Sequence, residues 1–185
     1  MKRNHAILTS FLLLVVAAAL YRIVPGRPYG FAPQISMALF GGAVLKDKKW
    51  AFALPLVSLF LSDLLYQVLY VNGLTPIQGF YGGQMLNYIE LSSVVVLGFW
   101  VSRINWRSVA WLSLLGPTWF FLISNFTVWL GSDGVIIPRN AAGLAETYIL
   151  GLPFYQASIA ATVFFNALFF GTWHLLYQRK QQAVA

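Results

Sequence analysis

Two carboxylates stand inside stretches that otherwise carry almost no charge: Asp63 in the apolar run 50–71 and Glu90 in the run 84–101. Near the middle of a membrane span an ionisable side chain costs ~2.5–3.5 kcal/mol on insertion scales, so each must face protein and have a partner. Helical spacing collects polar groups around both. Asp63, Gln67 and Tyr70 recur at i, i+4 and i+7 with Tyr66 beside them, and Gly83, Asn87 and Glu90 line one stripe of the next run. Ser124, Asn125 and Trp129 follow in a fifth run, and Ser158, Thr162 and Asn166 are four apart in a sixth. Carboxylates in such a wall can hold an amine or cation, and Arg22, near the end of the first run, and Arg27, between the first two, can hold an anionic group. The candidate substrate-binding set is therefore Arg22, Arg27, Asp63, Gln67, Asn87, Glu90, Asn125 and Trp129.

Plainer roles stand beside this one. Arg22 and Arg27 fall at the same face as the two acids and can neutralise them as buried ion pairs. The Ser158 stripe reads first as interhelical glue, at about 0.6 kcal/mol per contact. If Asp63 binds a solute, Asp63→Asn is expected to weaken binding with little loss of folded protein.

Most reaction chemistries are absent. The chain has no cysteine, which removes disulfides, thiolate metal sites and thiol catalysis. Its two histidines, His5 and His174, fall near the ends of the first and last runs, as interface residues would. No H-E-x-x-H, G-x-S-x-G, P-loop or G-x-G-x-x-G is present. Asp63 with Glu90 lacks the Gly-flanked Asp context of an aspartyl protease. A non-enzyme without metal or cofactor is expected.

The elements that position these residues follow from composition. Of 185 residues, 59% are apolar and 9% charged, against about 25% charged in a soluble domain. A helix needs roughly 20 residues to cross the hydrocarbon. Runs near that length are 6–24, 31–45, 50–71, 84–101, 109–130 and 154–177, the second short and carrying Pro33, Gln34 and Ser36 at its start. The expected fold is an all-α polytopic membrane helix bundle, one integral membrane domain over 1–185, with six transmembrane helices, or five if the second run does not cross.

Charge gives an independent test, because short translocated loops avoid Lys and Arg. With the N-terminus in the cytoplasm, Lys2, Arg3, Lys46, Lys48, Lys49, Arg103, Arg107, Arg179 and Lys180 lie inside, and Arg22, Arg27 and Arg139 outside. Nine against three favours six spans with both termini inside. The net charge of +7 thus reads as a topology signal in contact with the lipid bilayer, and no nucleic-acid partner is expected. The first run also fits a cleaved signal peptide, with Lys2 and Arg3 before it and Ala17, Ala18 and Ala19 as small cleavage residues; a retained helix is the expectation. In the loop 131–153, Asn140 is placed to cap a short helix over 141–150, with Gly151 and Pro153 to stop it. That helix is expected to lie across the outer mouth, as a lid or resting on lipid. Small-x-x-x-small pairs, Ala38 with Gly42 and Gly79 with Gly83, offer close helix approach.

The stretch Phe31-Ala-Pro-Gln-Ile-Ser-Met-Ala-Leu-Phe-Gly-Gly-Ala, the basic turn Lys46 to Lys49, Ala53-Leu-Pro-Leu and Leu61-Ser-Asp-Leu resemble an uncharacterised bacterial family of small integral membrane proteins. Ile123-Ser-Asn-Phe-Thr-Val-Trp-Leu-Gly, Ala142-Gly-Leu and Gly151-Leu-Pro-Phe are similar to the same family, so the resemblance spans most of the chain. More loosely, the layout resembles the S components of energy-coupling factor transporters, six-helix proteins that bind a vitamin or metal ion in an outward cavity and dock on a transmembrane and ATPase module. The resemblance implies an importer subunit of the bacterial inner membrane that captures a small vitamin-like or polar solute from outside. The A-x-x-x-A docking surface of many S components is missing from the first run. An accessory subunit of a larger membrane complex, packed and without a cavity, is the alternative.

Overall fold

The computed structural model describes residues 2–182, with side chains over 12–175. Among them all regular structure is helical: α1 (Lys2–Arg22), α2 (Gln34–Val44), α3 (Lys48–Val71), α4 (Gln84–Phe99), α5 (Trp106–Gly131) and α6 (Ala141–Gln182). His5 lies outside the residues whose side chains are described. Lys48–Val71, Trp106–Gly131 and Ala141–Leu175 are long and apolar enough to cross a membrane.

The short α2 is the centre of the bundle. Pro33 stands at its N-cap, and the residue before a proline avoids helical backbone, so the helix starts at Gln34 rather than at residue 31. Eight of its eleven residues are buried, between α3, α4, α5 and α6. Contact this close requires missing side chains. A Cβ on Gly42 would overlap the Val95 carbonyl oxygen and come within 2.9 Å of the Gly98 Cα, so α2 and α4 touch backbone to backbone. The Gly42 half of the expected small pair thus sits at a helix contact, and Ala38 is fully buried beside it. Pro55 in α3 lacks the N–H that would bond the Ala51 carbonyl. That carbonyl instead faces Gly41, where a Cβ would stand 2.8 Å away.

The last helix differs from expectation. Asn140 does cap it, accepting from the Gly143 N–H at 3.0 Å, but no break follows at Gly151 or Pro153, and one helix runs from Ala141 through Gln182. No separate helix crosses the mouth. Proline inside a membrane helix is tolerated where neighbours cover the freed backbone. Gly151 serves α5 instead, because a Cβ there would collide with the Asn125 side chain and approach Phe121 within 2.9 Å. The stretch 141–153 therefore continues the α5–α6 hairpin, with the Tyr148 hydroxyl donating to the Leu122 carbonyl at 2.9 Å.

The Ser158 stripe ties helices and turns together. Ser158 donates to the Gly30 carbonyl at 3.1 Å, Ser36 to the Thr162 carbonyl at 3.2 Å, and Asn166 to the Ser113 hydroxyl at 2.9 Å.

Candidate functional site

Asp63 lies on the buried face of α3 and is 1% exposed. One carboxylate oxygen is ion-paired with Arg22, the last residue of α1. The other accepts from Gln84 Nε2 and from the Tyr88 hydroxyl, both at 2.7 Å and both from α4. Arg22 also donates to Ser62 Oγ at 2.7 Å, and its guanidinium stands 5.6 Å from the Tyr66 ring centre. The Tyr66 hydroxyl donates to the Arg22 carbonyl at 2.7 Å, which ties down the end of α1. Three helices thus meet at one carboxylate whose charge is paired and whose two oxygens are both engaged.

The remaining nominated residues divide among several places. Arg27 reaches no acid: its Nε donates to the Arg22 carbonyl at 3.2 Å and its Nη1 to the Phe31 carbonyl at 2.6 Å, bracing the α1–α2 turn. Gln67, one turn beyond Asp63, accepts from the Gly79 and Phe80 N–H groups at 3.2 Å each. This draws the α3–α4 loop onto α3, and only glycine fits at 79, since a Cβ would overlap the Asp63 carbonyl. Asn87 donates to the Tyr81 hydroxyl at 3.0 Å. Glu90, 8% exposed, has a different set of partners from Asp63: its carboxyl takes the Thr127 hydroxyl of α5. Asn125 donates to the Phe121 carbonyl at 2.8 Å beside Gly151, and Trp129 to the Pro138 carbonyl at 3.2 Å in the α5–α6 loop. Among the described residues Arg22–Asp63 is the single ion pair, so the arginine pairing foreseen for both acids holds for Asp63 alone.

Residues not singled out in the sequence complete these contacts. Tyr88 and Gln84, four apart on α4, bond each other at 3.2 Å as well as Asp63. Their i, i+4 spacing was readable, but an aromatic in an apolar run counts first as core filling. Thr127 is three residues from Ser124 on the same helix, and it also donates to the Ser124 carbonyl at 2.9 Å.

A second polar locus lies deeper. Gln34, the first residue of α2, is 6% exposed, and neither its amide nitrogen nor its amide oxygen has a hydrogen-bond partner; the same holds for the hydroxyl of Ser58, fully buried on α3. Gly41 faces Ala51 across these antiparallel helices. Seven residues back along α2 is Gln34 and seven onward along α3 is Ser58, so both lie about two turns from that contact on the facing stripes. The orphaned groups therefore stand at one level. The N–H groups of the first turn of a helix have no intrahelical partner, and Pro33 offers no side-chain cap. An unsatisfied buried polar group costs about 1–3 kcal/mol. Gln34 and Ser58, like the unpartnered Asn166 Oδ1, are thus places among the described residues where added hydrogen-bonding atoms would lower the free energy.

Among the described residues no three His, Cys, Asp or Glu side chains come together as a metal site. The chain is an all-helical protein with membrane-length apolar helices and a buried, braced carboxylate. Residues 2–184 match the model of a family of unknown function (DUF6580), and the chain belongs to that family. No curated protein and no solved structure matches it.

Proposed function

We propose that this is a six-span protein of the bacterial inner membrane, with both termini in the cytoplasm, that captures a small polar or vitamin-like solute from the outer side as the binding subunit of an importer. The observation that carries the reading is the buried start of α2, with its unpartnered Gln34 amide level with the unpartnered Ser58 hydroxyl. At 1.5 Å per residue the eleven residues of α2 cover ~17 Å, about half of a ~30 Å hydrocarbon layer. Ser58 comes ten residues after Lys48, ~15 Å into the same layer. Membrane carriers commonly bind at the midplane, where a broken helix turns its N-terminal N–H groups to the substrate.

Asp63 stands about 7.5 Å further out on α3, at 1.5 Å per residue, and with Arg22 of α1 makes the outer brace of this site. The other nominated residues, Arg27, Gln67, Asn87, Glu90, Asn125 and Trp129, hold turns and helix contacts elsewhere in the bundle. In the likeness to S components, a transmembrane and ATPase module supplies the energy and this chain performs no catalysis.

The test is thermal unfolding of the purified full chain against a panel of vitamins and amino acids. A compound that raises the Tm of the wild type, and not that of Gln34→Leu or Ser58→Ala, supports the reading. If no compound shifts the wild type, or every shift persists in both variants, the site is wrongly assigned. A second reading, an accessory subunit that packs against a larger membrane complex, is favoured by Asp63, whose charge is paired with Arg22 and whose two oxygens are both held by protein groups. Co-purification of other membrane subunits without any Tm shift would select it.

A further inference from the structure

At the opposite end of the bundle from Arg22, a groove of about 490 Å³ opens around the α4–α5 turn. Arg103 and Arg107 line it, with Trp100 and Trp111 at 74% and 72% exposed. Its floor is apolar, from Leu112 and Leu115. Among the described residues neither guanidinium is ion-paired; that of Arg107 stands 5.3 Å from the Trp106 ring centre. The N-terminus of α5 does not supply the attraction, because Asn105 and Ser108 cap each other's backbone there at 3.0 Å. The basic α2–α3 turn is adjacent: Lys48 Nζ lies 5.3 Å from the Phe99 ring centre, and Phe52 packs edge-on against Phe99. Lys46, Lys48, Lys49, Arg103 and Arg107 thus border one end of the bundle, with Asp47 the one acid of these two turns.

We infer that this groove is a binding site for the headgroup of an anionic phospholipid in the leaflet it meets. The chemistry is that of a phosphodiester: two guanidiniums for its oxygens, indoles at headgroup depth beside it, and an apolar floor for the upper acyl chain. Polybasic clusters at a membrane surface attract anionic lipid by an amount that, per Lys or Arg, multiplies affinity about fivefold. The inference rests on the membrane reading of the helices and is independent of the solute site, since among the described residues none that lines the groove is hydrogen-bonded to or ion-paired with the side chains of Gln34, Ser58 or Asp63.

The experiment is native mass spectrometry of the full chain in mild detergent, titrated with phosphatidylglycerol and, separately, with phosphatidylcholine. Phosphatidylglycerol is expected to bind preferentially. Arg103→Gln with Arg107→Gln should weaken it about 20- to 30-fold, while Arg139→Gln, in the α5–α6 loop, should leave it unchanged. Each single variant, expected to lose about fivefold, keeps the test standing if the double variant does not fold. Equal binding of the two lipids, or full retention in the double variant, overturns the inference. Complete displacement of the lipid by millimolar inorganic phosphate also overturns it, in favour of a soluble phosphate ligand.

Discussion

Replacing Asp63 by asparagine removes the charge that Arg22 faces and leaves the guanidinium with neutral side-chain acceptors, Ser62 Oγ and the amide oxygen. Breaking one member of a buried pair costs ~3–5 kcal/mol, because the partner charge stays behind unpaired. The Asp63 side chain is 2% exposed and that of Arg22 18%, so water relieves part of the penalty and the lower end applies, about 3 kcal/mol. For a chain of this size that corresponds to a fall in Tm of about 6–12 °C. The structure therefore reverses the expectation that Asp63→Asn spares folding. The assay is thermal unfolding in detergent of Asp63→Asn, Arg22→Gln and the double variant. Because the two side chains share one interaction, the double variant should be more stable than the sum of the singles predicts, by about 2 kcal/mol. An Asp63→Asn protein within 2 °C of wild type, or strictly additive effects, would refute the brace.

Two further outcomes follow from the packing. Gly42→Ala sets a Cβ against the Val95 carbonyl and the Gly98 backbone and should cost about 1–3 kcal/mol or more; Gly171→Ala, with nothing near its Cβ, should be neutral or gain about 0.5–1 kcal/mol. Chemical denaturation of both variants checks the contrast, and equal effects would contradict the close α2–α4 contact. Thr127→Val removes the donor to the Glu90 carboxyl and should lower stability by about 1–3 kcal/mol, whereas Glu90→Gln keeps an acceptor for Thr127 and should stay within about 1 kcal/mol. A Glu90→Gln loss larger than that of Thr127→Val would show that the negative charge itself is used.

Hydropathy and capping made most of the helices legible. Asn140 caps where it was expected to, and the boundaries of α3 and α4 lie within two residues of the runs that foretold them. Pro153 misled because a helix-stop rule learned from water counts the lost hydrogen bond, while α5 packs alongside α6 and the helix continues through it. In the candidate site the acids were conspicuous, since charge in an apolar run stands out. Their donors were not, because Tyr88 and Thr127 are ordinary residues in such runs and only tertiary placement turns a hydroxyl toward a carboxylate. Gln34 was visible as a polar residue at the start of a short run. That its amide would be buried and unmatched depends on α2 beginning inside the bundle, a property of the assembled helices.

Water access at Ser58 tests the central claim most directly. The chain has no cysteine, so Ser58→Cys introduces a single thiol at a fully buried position of α3, and Val57→Cys places one on the adjoining exposed apolar face. In intact cells a charged, membrane-impermeant methanethiosulfonate should modify Ser58→Cys from the outside and leave Val57→Cys untouched. If Ser58→Cys resists the reagent from both sides while Asp133→Cys, in the exposed α5–α6 loop, reacts, the start of α2 is sealed packing and the capture account is contradicted.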